Sequence, residues 1–219
     1  MVISGENQPT AWFFGTFNPV HNGHLQVARA VLAHFPALET VTLVPTGHPP
    51  HKAAVSPDLL PIRHRLAMAT LAAESEPRLK VSDAEAADSQ DPHYTYETLK
   101  KLGLFHLNEP PVLILGVDAF NSLEGWHQAA RLLESTDFLV APRNGVTPKT
   151  SFMIGNQPID PRFSLIPMPE IAIAASDIRY RLHEELPLDE VLPPAVENYI
   201  RRHGLYRPQA AANTPLKTR

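Results

Sequence analysis

Two histidines, His21 and His24, stand three residues apart in a glycine-bearing string that runs from Gly15 to Leu25. An apolar run that indicates a buried strand precedes the string, and apolar residues at helical spacing follow it. This spacing puts both imidazoles on one face near a helix N-terminus, where backbone N–H groups and the positive helix dipole converge. The string therefore predicts a phosphate site; the alternative is a joint whose histidines only cap and pack.

A second polar segment, residues 45–52, directly follows the predicted strand Thr40–Val44. His51 and Lys52 supply cationic or donor groups, and the prolines stiffen the loop that carries them. The alternatives are a solvated, proline-rich turn and a metal site. Such a metal site would be built from four histidines: His21, His24, His48 and His51. Because the chain has no cysteine and no His-Glu-x-x-His helix, we expect no metal held by protein side chains.

Two further residues place oxygen acceptors or donors beside predicted elements. Asp118 follows Gly116 at the end of the predicted strand Val112–Leu115, and a carboxylate there suits a pair of ligand hydroxyls. Thr95 precedes the helix predicted from Tyr96, and as its N-cap it would lie beside N–H groups that suit a carboxylate. Helix capping without a ligand is the alternative for both residues.

Two arginines are candidates for an anion site. Ser176 is a predicted N-cap, which would put Arg179 in the first helical turn. An arginine there opposes the helix dipole and costs roughly a few tenths of a kcal/mol, whereas a bound anion reverses that sign. Arg143 lies just past the predicted strand Phe138–Ala141. A surface salt bridge is the alternative for each.

Short apolar runs alternate with helical patterns along the whole chain. The predicted strands are Ala11–Phe14, Thr40–Val44, Leu79–Val81, Val112–Leu115, Phe138–Ala141 and Phe163–Ile166. The predicted helices are His24–Phe35, Ile62–Glu74, Tyr96–Leu102, Gln128–Glu134, Asp177–Glu185 and Ala195–His203. Alternation of this kind implies a doubly wound, mostly parallel α/β sheet with helices on both faces. Ligands of such sheets bind beyond the carboxyl ends of the strands, where the string from Gly15 lies.

Length, net charge and cysteine content limit the kinds of protein that this chain can be. The 219 residues suit a single domain, which we place at residues 10–207 between flexible termini at 1–9 and 208–219. A net charge of −4 argues against broad nucleic-acid or membrane-surface binding, and the absence of cysteine excludes disulfides. With no signal-peptide pattern and no apolar run long enough to span a bilayer, we expect a soluble, cytoplasmic protein.

The string Gly-Thr-Phe-Asn-Pro-x-His-x-Gly-His-Leu resembles the signature of the nucleotidylyltransferase superfamily, whose members carry a (T/H)-x-G-H element after the first strand. From about Trp12 to Tyr206 the chain resembles the bacterial nicotinate mononucleotide adenylyltransferases. Further matching motifs are Pro49-Pro50-His51-Lys52, Tyr94-Thr95, Gly116-Val117-Asp118, Trp126 and Ile178-Arg179. The resemblance implies a Rossmann-like fold and transfer of AMP from ATP to nicotinate mononucleotide, giving nicotinate adenine dinucleotide and pyrophosphate.

The resemblance also implies roles for these residues. His21 and His24 would donate to the ATP phosphates, and Arg179 would steady the leaving pyrophosphate. The rest of the ATP-binding set is Gly15, Thr16, Phe17, Gly23, Gly116, Asp118 and Ser176. The mononucleotide-binding set is Thr16, His51, Lys52, Tyr94, Thr95, Trp126 and Arg143. Trp126 would stack on the cationic pyridine ring. Mg²⁺ would be bound mainly through the ATP phosphates, and a homo-oligomeric state is left open.

Three residues depart from the family pattern. Most bacterial relatives carry Gly-Gly-(Thr/Ser)-Phe-Asp-Pro, so Phe14 replaces the first glycine and Asn18 the aspartate. In the closing motif Ile-Ser-x-Thr-x-Ile-Arg, Ala174 replaces the serine and removes a hydroxyl. These departures keep alternatives open: nicotinamide mononucleotide or phosphopantetheine as the acceptor, or a catalytically weak nucleotide-binding or regulatory protein.

Overall fold

The computed structural model describes residues 9–47, 58–86, 92–107, 109–188 and 190–207. The strands are β1 (Thr10–Gly15), β2 (Thr40–Pro45), β3 (Leu79–Val81), β4 (Val112–Gly116), β5 (Asp137–Ala141), β6 (Phe152–Ile154), β7 (Gln157–Ile159) and β8 (Arg162–Leu165). The α-helices are α1 (Asn22–His34), α2 (Ile62–Ala73), α3 (Thr95–Lys101), α4 (Val117–Asn121), α5 (Ala129–Ser135), α6 (Ala175–His183) and α7 (Pro194–His203). Within these ranges, short 3₁₀ helices span Leu104–His106 and Leu123–Gly125.

The central sheet has six strands in the order β3-β2-β1-β4-β5-β8, and every neighbouring pair is parallel. The strand order reverses between β1 and β4, so the loops that follow these two strands diverge and leave a crevice for a ligand. Strands β6 and β7 form a separate antiparallel hairpin. The predicted doubly wound, Rossmann-like α/β fold is confirmed. In the part of the chain that the structure describes, no helix is both long and apolar enough to cross a bilayer.

Two apolar clusters cover the two faces of the sheet. The first core cluster packs α1, α2, α6 and α7 on one face and includes Leu25, Met68, Ile178 and Ile200. The second core cluster packs α3, α4 and α5 on the other face and includes Phe14, Leu99, Phe120 and Leu132. Strand residues alternate between the clusters: Ile114 of β4 belongs to the first, and Leu113 and Leu115 to the second. Burial on both faces explains why the strands are almost continuously apolar.

The six predicted strands lie within one residue, and the six predicted helices within two residues, of observed elements. The predicted elements did not include helix α4 or the hairpin of β6 and β7. Helix α4 has five residues and each strand of the hairpin has three, and such short elements show no periodic pattern of apolar residues. The predicted flexible termini, apart from residue 9, lie outside the described residues.

Arg65 of α2 is the most deeply buried cation of the described chain, with 1% of its surface exposed. Its guanidinium donates to four backbone carbonyls: Leu60 at 2.9 Å, Thr16 at 2.8 Å, Thr46 at 2.6 Å and Gly47 at 3.0 Å. Burial lowers its pKa to about 10, so it stays charged near neutral pH. One side chain thus ties the loop after β1 to the loop after β2.

Glu85 extends this connection to the opposite side of the sheet. Its buried carboxylate accepts a hydrogen bond from the backbone N–H of Gly47 at 3.0 Å and another from the Thr98 hydroxyl at 2.7 Å. The loop after β2 is therefore held to both α2 and α3. The negative charge of Glu85 also favours the charged form of Arg65.

We expect Arg65→Met to lower the free energy of unfolding by about 3–5 kcal/mol, because it takes the donor from four partly buried carbonyls and the opposite charge from buried Glu85. Arg65→Lys should recover only part of this loss, since one ammonium cannot span both loops. Arg63→Met, at an exposed position of the same helix, is the matched control and should change stability by less than about 0.5 kcal/mol. Urea unfolding measures all three; wild-type stability in Arg65→Met would contradict the assignment.

Candidate active site

The loop between β1 and α1 is shaped by the ring of Phe17. Phe17 has a left-handed backbone with φ of 47°, and its buried side chain meets the His24 ring edge-on at 4.9 Å. A Cβ on Gly15 would lie 2.8 Å from the Phe17 ring, and one on Gly23 would lie 2.8 Å from a methyl of Ile171. Gly15 is therefore closely packed within the loop, and Gly23 is closely packed against His21 and against Ile171 of a distant segment.

His21 and His24 form a stacked pair at the start of α1. Their ring centroids are 3.8 Å apart with an interplanar angle of 29°. His21 is the N-cap, and its backbone N–H donates to Nδ1 of His24 at 3.2 Å. A neutral His24 that accepts at Nδ1 carries its proton on Nε2, which is then available to donate to a ligand. The structure brings the two predicted histidines together at the helix N-terminus.

Both imidazoles are neutral near neutral pH. Burial lowers the pKa of His21 to about 4. Burial, together with the proximity of His21, also holds the pKa of His24 well below its ordinary value. The pair can therefore offer N–H donors to an anion without first placing two like charges against each other.

A cavity of about 460 Å³, which we call the β1–α6 cavity, lies beside this pair. Its lining is Thr16, Phe17, Asn18, His24, Leu59, Ala175 and Arg179. Arg179 donates from Nη1 to the Asn18 carbonyl at 2.9 Å, and its Nε is buried without a hydrogen-bond partner among the described residues. The fold thus brings His24 and Arg179 to one cavity from opposite ends of the chain.

Helix α6 begins differently from the prediction. Ala174 is the N-cap with an extended backbone, and Ser176 lies exposed at the second helical position. Ile178 donates its N–H to the Ala174 carbonyl at 3.2 Å, so the helix starts at Ala175, one residue before Ser176. Ser176 as N-cap is therefore wrong. Arg179 is the fifth helical residue, beyond the first turn, and the predicted conflict with the helix dipole does not apply.

Asp118 and Arg143 meet at the carboxyl edge of β4 and β5. Arg143 Nη1 lies 2.6 Å from Asp118 Oδ2, with the two side chains 66% and 58% exposed. This hydrogen bond and the charge of Asp118 raise the pKa of Arg143. Asp118 lies in the first turn of α4, whose N-cap is Gly116, and a Cβ on Gly116 would touch nothing within 4 Å. The pair leaves an open, polar edge next to the strand-order reversal.

A second group of predicted residues lies at the start of α3. Tyr94 is the N-cap and Thr95 the first helical residue, so the predicted capping role of Thr95 is wrong. The Tyr94 ring stacks on His127 at 4.3 Å with an angle of 29°. His127 in turn lies 3.2 Å from the Glu97 carboxylate. Residues 30 positions apart in the chain thus form one aromatic and polar surface.

Trp126 adjoins this surface. It is partly buried against the second core cluster, and its indole N–H donates to the Ser122 hydroxyl at 3.1 Å. The structure therefore gives Trp126 packing contacts, and its predicted stacking on a ligand ring stays a prediction.

Two predicted residues, His51 and Lys52, lie outside the described residues, as does His48 of the alternative metal site. Over the described ranges, no three His, Asp or Glu side chains are grouped so that they could hold a metal ion. The β1–α6 cavity presents N–H donors and a guanidinium, which suit phosphate oxygens. We assign none of the described side chains to Mg²⁺.

Sequence reasoning missed Arg65 and Glu85, which hold the loops of the site. Arg65 lies on the buried face of α2 with Met68, Ala69 and Ala72, at the spacing i, i+3, i+4 and i+7. A charged residue at an apolar position of a helical pattern is the signal that could have found it. Glu85 follows no pattern, because its partners come from two other segments.

The buried imidazole of His21 predicts that acid destabilises the fold. Below about pH 6.5 the unfolded chain binds a proton at residue 21, whereas the folded chain does so only near pH 4. Stability should therefore fall by about 1.4 kcal/mol per pH unit from this group as pH drops through that range. Urea unfolding between pH 7 and 4.5 measures the slope. His21→Gln should reduce this slope and leave the part that comes from His24, whose pKa is also lowered. The exposed control His34→Gln should leave the slope unchanged, and a wild-type slope in His21→Gln would contradict the prediction.

Comparison with known proteins agrees with this geometry. A family model described as cytidylyltransferase-like matches residues 12–181. A relative from Thermomicrobium roseum, named as a nicotinate-nucleotide adenylyltransferase, is 38% identical over 196 residues, covering 89% of this chain and 90% of its own. One of the same name from Pectobacterium atrosepticum is 36% identical over 214 residues, covering 90% and 98%.

A solved structure shows the same fold at lower identity. The Plasmodium falciparum nicotinic acid mononucleotide adenylyltransferase complexed with NaAD superposes with a TM-score of 0.72 at 20% identity, covering 91% of this chain and 98% of that one. The predicted family is confirmed by the sequence relatives and the matching family model. This chain belongs to the cytidylyltransferase-like family and, within it, to the nicotinate-nucleotide adenylyltransferases.

Proposed function

We propose that this protein transfers AMP from ATP to nicotinate mononucleotide, forming nicotinate adenine dinucleotide and pyrophosphate in NAD biosynthesis. The observation that carries the proposal is the β1–α6 cavity, which is lined by both His24 and Arg179. The names of the relatives support the reaction, and the Plasmodium structure was solved with NaAD.

The chemistry requires positioning more than proton transfer. The phosphate of the mononucleotide attacks the α-phosphorus of ATP, a new P–O bond forms, and the bond to the pyrophosphate oxygen breaks. Because the attacking phosphate is already an anion, the protein needs no general base. Mg²⁺ arriving with the triphosphate would neutralise part of its charge. The protein's share is to hold the phosphates in line and stabilise charge on their oxygens.

The ATP half of the site follows the loop after β1. We assign the phosphates to the N–H groups of the string, which contains Gly15, Thr16, Phe17, Gly23 and the histidine pair. His21 and His24 donate as neutral imidazoles, and Arg179 steadies the departing pyrophosphate.

The ribose side of the ATP site is assigned to the edge of β4 and the start of α6. Asp118 would accept from ribose hydroxyls beside Gly116, and exposed Ser176 would face the phosphates. Accepting the hydroxyls requires Asp118 to share its carboxylate with Arg143, which lies 2.6 Å away.

The mononucleotide half is assigned to the opposite side of the crevice. Thr95 is not the cap of α3, which leaves its hydroxyl for the nicotinate carboxylate, and Tyr94 and Trp126 would flank the pyridine ring. His51, Lys52 and Arg143 would meet the phosphate of the mononucleotide. We place the reaction in the cytoplasm; the homo-oligomeric state stays open.

The acceptor assignment is tested by measuring pyrophosphate release from ATP with each acceptor separately. We expect catalytic efficiency with nicotinate mononucleotide to exceed that with nicotinamide mononucleotide at least about tenfold. The reason is that the amide NH₂ cannot accept a hydrogen bond, so a donor assigned to the carboxylate, such as the Thr95 hydroxyl, would be left unpaired. Phosphopantetheine should give no turnover. Equal or better use of the amide would overturn the acceptor, and no turnover with any acceptor would favour the catalytically weak nucleotide-binding protein.

His24→Ala should reduce turnover by roughly a hundredfold or more, the scale of losing one donor to a transition state. His34→Ala is the matched control, since His34 is exposed at the far end of the same helix. Pyrophosphate release gives the rates, and circular dichroism confirms that both variants are folded. Near-normal turnover in folded His24→Ala would show that His24 only caps the helix and packs in the loop.

A further inference from the structure

Asn18 is a buried junction between four segments of the chain, with 6% of its surface exposed. Its amide oxygen accepts from the Leu60 backbone N–H at 3.2 Å and from the Tyr206 hydroxyl at 2.8 Å. Its amide nitrogen donates to the Asp58 carbonyl at 2.9 Å. These three bonds fix which way the amide faces, because the oxygen meets only donors and the nitrogen meets an acceptor.

The backbone of the same residue reaches the cavity. The carbonyl of Asn18 accepts from Nη1 of Arg179, and both residues line the β1–α6 cavity. Any rotation of the Asn18 side chain that shifts its backbone would therefore move the acceptor that orients the guanidinium.

Tyr206 lies beyond α7, near the end of the described chain, and is 188 residues from its partner Asn18. Its backbone is left-handed, with φ of 62°, a conformation that a bulky residue keeps only when tertiary contacts hold it. The ring packs against the first core cluster. Burial raises the pKa of Tyr206, so its hydroxyl stays a proton donor throughout the physiological range.

We propose that Tyr206 is a positioning residue for the ATP phosphates, acting through Asn18 on the loop after β1 and on Arg179. The proposal rests on the assignment of the β1–α6 cavity as the phosphate site. The hydroxyl touches no substrate in this scheme. It restrains the amide of Asn18, whose backbone carbonyl in turn holds the guanidinium in one orientation toward the ligand.

The test compares Tyr206→Phe with Tyr199→Phe. Tyr199 is a good match because it is a partly buried tyrosine of α7, and its hydroxyl bonds to His64 Nδ1 at 3.0 Å. Each variant loses one hydrogen bond and keeps its ring, so both should show a similar small drop in melting temperature, about 2–4 °C. We measure KM for ATP, kcat, and the melting shift produced by ATP with magnesium.

Tyr206→Phe should raise KM for ATP or lower kcat roughly two- to tenfold, the range of one hydrogen bond. It should also reduce the melting shift from ATP with magnesium, while KM for nicotinate mononucleotide changes little. Tyr199→Phe should match wild type in all ligand-dependent readouts. The proposal would be overturned if Tyr206→Phe kept the wild-type KM for ATP, kcat and ATP-induced melting shift. It would also be overturned if Tyr199→Phe changed these quantities as much as Tyr206→Phe does.

A double variant tests the route through Asn18. If the hydroxyl acts through that amide, Asn18→Ala with Tyr206→Phe should lose no more ATP response than Asn18→Ala alone. Additive losses would overturn the route. If wild type turns over no acceptor, the proposed reaction fails, but the comparison of ATP-induced melting shifts still decides the role of Tyr206.

Discussion

The guanidinium of Arg65 is the constraint on which the site depends. Parallel strands direct their following loops toward one edge of the sheet, and here three carbonyls of two such loops accept hydrogen bonds from one buried side chain. Arg65 satisfies Thr16 after β1 and both Thr46 and Gly47 after β2. The cost of burying its charge is offset by these dipoles and by Glu85. The loop after β1, which lines the cavity, is therefore held to the loop after β2.

Besides these fixed loops, two neutral histidines and a charged arginine, Arg179, lie at or beside the cavity. Burial keeps both stacked histidines neutral. Repulsion between two imidazolium rings 3.8 Å apart, and between them and the nearby Arg179, is thereby avoided. The neutral rings still donate N–H groups, and among the described residues that line the cavity Arg179 carries the positive charge. An anionic ligand that enters this cavity meets donors that are already fixed in position, the arrangement that favours electrostatic stabilisation.

The departures from the family pattern have separate physical explanations. Phe14 is buried in the second core cluster, so its ring contributes to packing. Asn18 both donates and accepts, and a carboxylate at that position could not donate to the Asp58 carbonyl. Ala174 is the N-cap of α6 and offers no side-chain oxygen, which leaves the first N–H groups of that helix without a capping side chain next to the cavity.

Local periodicity in the sequence predicted six strands, six helices and their mostly parallel sheet, and the spacing of glycine and histidine predicted the turn between β1 and α1. The sequence did not determine where α3 and α6 begin, since a cap depends on backbone angles that the polar residues Thr95 and Ser176 do not set. It also left out α4 and the β6–β7 hairpin, which are too short to show a period. The contacts of Arg65 and the hydrogen bond from Tyr206 to Asn18 depend on the packing of distant segments. Their partners lie up to 188 residues away, and no local pattern encodes which distant carbonyl or amide will need a donor.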